Sequence, residues 1–233
     1  MRLFALAVFI ALVLQGCTVA TEPAEAPATA PRPVPAADAA DISRFRTIAA
    51  RVEPVAERIC REHANSPNCD FNIVIDDRPG LPPNAYQTLD KNNRPILAFT
   101  LSILADVENA DQLAFVMGHE AAHHIAGHIP RQQQNAMTGA ILLGGLVSLT
   151  GMGSSAVDAA VDLGAGVGAR SYSKDYELEA DAIGTVIAHH AGYDPVRGAA
   201  YFTRIADPGD RFLGSHPPNA KRIETVRRVA AGL

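Results

Sequence analysis

His119-Glu120-Ala121-Ala122-His123 carries the strongest chemical signal in this chain. Side chains four apart on a helix share one face, one turn apart, so both imidazoles can reach a single zinc ion. Glu120, beside the first histidine, is placed to take a proton from a zinc-bound water. Hydrolysis at such a centre also needs a third protein ligand and an open position for water. The other nearby histidines fit that place poorly. Ile129 stands six residues after His123, where a metzincin would carry a third histidine. His124 points off the His119/His123 face and reads as packing or surface, and His128 reads as a cap at the helix end, where positive charge is favourable. A carboxylate is therefore the expected ligand, and the next glutamate in the chain is Glu177. Glu177 and Asp181 lie one turn apart on one helical face. This pairing suits one ligand and one carboxylate that orients a zinc histidine through its other ring nitrogen. Glu179 falls on the far side of that helix and reads as a solvated or structural charge. A plain acidic helix face is the alternative for the pair.

The elements that must position these groups are mostly helical. Asp111–His128 is expected as one helix, with an acidic first turn and Pro130 as its stop, and Tyr172–His190 as a second, ended by Gly192 with Pro195 beyond. Arg44–Cys60 has a helical apolar period that Pro54 should kink or divide. Phe71–Asp76 alternates as a strand. Tyr86–Leu89 and Ile96–Phe99 flank a turn and form a hairpin, Leu101–Val107 is a short helix, and Asn219–Ala231 closes the chain. The fold class is mainly α with a small β-sheet (α+β). From Gln132 to Val157 no residue is charged. That stretch reads as a core helical hairpin, with a lid over the site or a membrane-touching patch as the other readings.

The N-terminus gives an address. Met1-Arg2 and the apolar run Leu3–Leu14 match a secretory signal, and Leu14-Gln15-Gly16-Cys17 looks like the lipobox of bacterial lipoproteins. Residues 1–16 are then a leader, Cys17 is the acylated residue, and 17–41, rich in Ala and Pro, is a tether unable to bury enough surface to order itself. Thr18, rather than Asp, after the cysteine resembles an outer-membrane address. The folded domain runs from 42 to 233. Cys60 and Cys69, nine apart in an exported chain, are expected to pair in an oxidising periplasm, with two free thiols as the alternative. With 20 Lys+Arg against 25 Asp+Glu and no basic cluster, the chain has no nucleic-acid surface.

Three blocks, HEAAHHIAGH, YSKDYELEAD and SHPPNAKRI, resemble those of the HtpX-like zinc metallopeptidases. That group takes in the CAAX prenyl proteases, the mitochondrial Oma-type proteases and a periplasmic branch with BepA and LoiP. The resemblance covers about Asn84 to Ile223 and implies a gluzincin-type metallopeptidase domain with one zinc per chain. It implies His119, His123 and Glu177 as metal ligands, Glu120 as catalytic base, Asp181 as the partner of Glu177, and His216 as a residue near the metal. His216 would either stabilise the oxyanion or sit as an inhibitory fourth ligand. Lys174 departs from the group's usual arginine, and the Tyr86–Phe99 region lacks its usual glycine-rich edge. No paired membrane helices are evident, and the lipid anchor at Cys17 takes their place. Resemblance and address together imply a periplasm-facing protease of misfolded or unassembled envelope proteins, with the envelope assembly machinery as a partner. A zinc-containing chaperone or binding lipoprotein, its proteolysis gated by His216, is the rival.

Overall fold

The computed structural model describes residues 37–63, 68–171, 173–210 and 216–233. The leader, Cys17 and the tether up to residue 36 lie outside the described residues. Helix α1 (Ala39–Glu62) opens inside the stretch read as tether, on a reciprocal cap. The Asp38 carboxylate accepts from the Asp41 amide at 2.9 Å, and Asp41 accepts from the Asp38 amide at 3.1 Å. Such a cap contributes about 1 kcal/mol. The helix runs unbroken through Pro54. Pro54 and Ala50, whose carbonyl loses its helical donor, both face solvent, while Phe45, Ile48, Val52, Ala56 and Ile59 bury the opposite face. Cys60, on that buried face, is disulfide-bonded to Cys69. Closing so short a loop contributes about 2–3 kcal/mol.

Strands β1 (Asn72–Asp76), β2 (Ala85–Leu89) and β3 (Pro95–Thr100) form one sheet in the order β1-β3-β2. β3 is central, parallel to β1 and antiparallel to β2, which leaves β2 as an edge. The expected hairpin is present. After α2 (Leu101–Asp106) comes α3 (Ala110–Ile125), nearly all of it buried between α1, the sheet and a later helix. α3 ends three residues before the expected His128. Gly127 takes a left-handed backbone (φ 66°) that turns the chain, and Pro130 sits in the first turn of the next helix rather than stopping this one.

That next helix, α4 (His128–Ser148), pairs with α5 (Ser154–Arg170). The charge-free stretch is thus a helical hairpin, as read, but not a core one. Gly139, Gly164 and Gly168 let the two backbones meet, so the helices bury small residues against each other and turn the large ones outward. α6 (Ser173–His190) ends at Gly192 (φ 84°). α7 (Pro195–Ala199), a short 3-10 turn (Ala200–Thr203) and α8 (Asn219–Ala230) complete the chain. α6 crosses α3 where two glycines face each other. A Cβ on Gly118 would stand 2.9 Å from the Gly184 carbonyl, and one on Gly184 would stand 2.8 Å from the His119 amide. This approach brings the acidic face of α6 to the histidine face of α3.

Candidate metal centre

The two helix faces meet in a cluster. His119 Nε2 lies 3.1 Å from His123 Nε2 and 3.5 Å from Glu177 Oε2, and His123 Nε2 lies 3.4 Å from Glu177 Oε1. Ligand atoms about 2.1 Å from a tetrahedral zinc stand about 3.4 Å from one another. The donor set therefore fits a zinc in both chemistry and spacing. Of the residues singled out in sequence, His119, His123 and Glu177 converge here. Glu120 follows on the same buried helix.

Two chains of contacts orient the imidazoles. Asp181 Oδ1 is 2.9 Å from His119 Nδ1, which leaves Nε2 to point at the cluster. Asp181 in turn accepts both arms of the Arg222 guanidinium, at 2.7 and 2.8 Å, and Arg222 lies flat over Phe202. Burial of Asp181 is offset by bonds from Arg222 and His119, which hold its carboxyl below the usual range. On the other side, His123 Nδ1 meets His128 Nδ1 at 2.8 Å. His128 Nε2 is 3.2 Å from Glu179, which also accepts from Arg131 at 2.7 Å, and the His128 ring stacks on Tyr176. One expectation is corrected here. His128 is not a cap at the end of the histidine helix: Gly127 turns the chain and folds it back onto His123. Of the two readings of Glu179, the structural charge is the one found, because the same reversal places His128 and Arg131 against it. His124 is buried, edge-on to Phe71, with Nε2 2.6 Å from the Asn68 carbonyl, clear of the cluster.

The electrostatics separate the groups. Burial would lower the His119 imidazole, but bonds to Asp181 and Glu177 push it up to about 10. Burial and the charge of His119 push His123 down to about 3, leaving a neutral ring. Glu177 is held well below the carboxylate range, its burial outweighed by His119, His216 and Arg222. Burial pushes Glu120 up to about 7, with Glu177 adding to the rise and His119 opposing it. A carboxylate so placed is matched to proton transfer near neutral pH. His216 is half-exposed, its Nδ1 3.2 Å from Glu177 Oε2. Lys174, the departure noted in sequence, pairs with Asp210 at 2.6 Å.

The cluster opens into a cleft of about 510 Å³. The β2 edge with its approach, Pro83–Gln87, lines the cleft, as do Tyr201, Phe202 and His216. Sequence reasoning missed Arg222, although it sits in the SHPPNAKRI block, because nothing local ties it to Asp181, 41 residues away.

A buried helix with two histidines and a glutamate, crossed by a second helix with a third donor, beside a cleft bordered by the edge strand of the sheet, defines a zinc-metallopeptidase-like centre. The sequence model of peptidase family M48, a family of zinc metallopeptidases, matches residues 43–230, and the chain belongs to that family. It is 27% identical to the mitochondrial metalloendopeptidase OMA1 of Saccharomyces cerevisiae over 76% of this chain and 54% of that one. It is also 27% identical to the beta-barrel assembly-enhancing protease of Escherichia coli O157:H7, over 72% of this chain and 36% of that protein. The chain thus spans about half the length of the first and about a third of the second.

Proposed function

We propose that this chain is a zinc-dependent endopeptidase, held in the bacterial envelope through Cys17, that cuts misfolded or unassembled envelope proteins. The observation that carries the reading is the set of His119, His123 and Glu177 donors, 3.1–3.5 Å apart, with Glu120 on the same helix. A zinc held there would supply a polarised carbonyl and a water of lowered pKa. Glu120 takes the proton of the attacking water and hands it to the leaving amine. Asp181 and His128 keep the two imidazoles turned to the cluster. An extended segment of substrate lies along β2, which pairs with β3 on one side and is an edge of the sheet on the other. This supports unfolded chains as substrates, since a folded strand has its own partners. The name of the Escherichia coli relative, with its reference to β-barrel assembly, and the lipobox at Cys17 support the envelope assignment.

Casein digestion tests the reading. Glu120→Gln is expected to keep its zinc and lose about 10²–10⁴-fold in cleavage, and a chelator to silence the parent chain. Full turnover by Glu120→Gln would exclude Glu120 as the base. A second reading rests on the 3.2 Å contact between His216 and Glu177: a latent protease whose metal face His216 covers. If His216 gates the site, His216→Ala cleaves faster than the parent. If it stabilises the oxyanion instead, His216→Ala cleaves more slowly at unchanged zinc content.

A further inference from the structure

The peptidase reading leaves the α4–α5 hairpin unused. Leu142, Leu146 and Leu149 stand at i, i+4 and i+7 along α4 and its C-cap, and all are exposed, Leu149 by 86%. Leu163 and Val167 take i and i+4 on α5, also exposed. Leu142, Leu146, Leu163 and Val167 line one apolar groove between the helices, and Leu149 and Met152 carry the apolar surface into the turn. After Arg131 the first charges are Asp158 and Asp162. At helical period these stand about 100–180° around α5 from Leu163 and Val167, away from the apolar face.

We propose that this face docks on the lipid surface of the membrane that holds the chain, with the leucines at the headgroup–acyl boundary. The groove is lined by leucine, valine and glycine alone. A bilayer interface requires only apolar area in an amphipathic arrangement. Chain length supplies the proximity. About 20 residues separate Cys17 from the start of the described domain, and a proline-rich chain reaches ~3.1 Å per residue, or ~60 Å. With Cys17 acylated, as proposed above, a bilayer is always within that reach, and a weak apolar contact becomes effectively intramolecular. Among the described residues no helix is long and apolar enough to cross a membrane, so the face lies in the interface. The hairpin then fixes how the domain stands on the surface.

The chain has no tryptophan, so one introduced indole reports alone. The full chain carrying Leu149→Trp, or Val196→Trp on α7 as a control, is mixed with phosphatidylethanolamine–phosphatidylglycerol vesicles containing shallow-brominated lipid. Leu149→Trp emission is expected to shift to the blue and be quenched, while Val196→Trp emission stays unchanged. Adding Leu146→Glu should abolish the quenching and leave casein cleavage in detergent unaltered. An unquenched Leu149→Trp overturns the proposal. So does a blue shift that grows with protein concentration without lipid and ignores vesicles, because a second copy then covers the face. The mass of the Cys17 peptide reports acylation, and casein cleavage in detergent reports the peptidase reading, so failure of either is distinguishable from failure of docking.

Discussion

The side chains around the cluster act as two relays of unequal visibility. Spacing made Asp181 legible as a carboxylate that orients one of the zinc histidines, and the structure identifies that histidine as His119. His128 was legible only as a residue near a helix end, because the reversal at Gly127 that swings it onto His123 is a tertiary event. The partners of Glu179 were illegible for the same reason, since His128 and Arg131 reach it only through that reversal. If His128 orients His123, its loss should act on the metal rather than on the fold. His128→Ala is expected to weaken zinc binding by about 10–100-fold, measured by competition with a chromophoric chelator, with the thermal midpoint of the metal-free chain little changed. Equal zinc affinity in the variant would assign His128 to packing against Tyr176.

Among the elements, the two site helices, the sheet strands and the closing helix were all readable, because periodicity and turn residues are local. The hairpin was readable in shape but not in placement. Apolar composition points inward only when a partner surface exists, and the glycine stripe of α4 and α5 lets each helix satisfy the other instead. The crossing of α3 and α6 depends on a similar device. Gly184→Ala puts a methyl against the His119 backbone and forces α6 away from α3. A loss of about 1–3 kcal/mol in chemical denaturation is expected, together with weaker zinc binding as Glu177 retreats. Unchanged stability and affinity would mean that α6 is positioned by other contacts.

In the molecule as a whole, a buried helix and a second helix present three donors to one point, and an edge strand lies beside them. The rest of the chain supports this arrangement: α1 and the disulfide brace the core, and Arg222 from α8 locks Asp181. Zinc content is therefore the most direct measurement. The purified chain should carry one zinc, with an X-ray absorption spectrum of two imidazoles and oxygen donors. Glu177→Ala should lose the metal while keeping its far-ultraviolet circular dichroism. Full zinc occupancy in a folded Glu177→Ala, with an unchanged absorption spectrum, would contradict the three-donor centre.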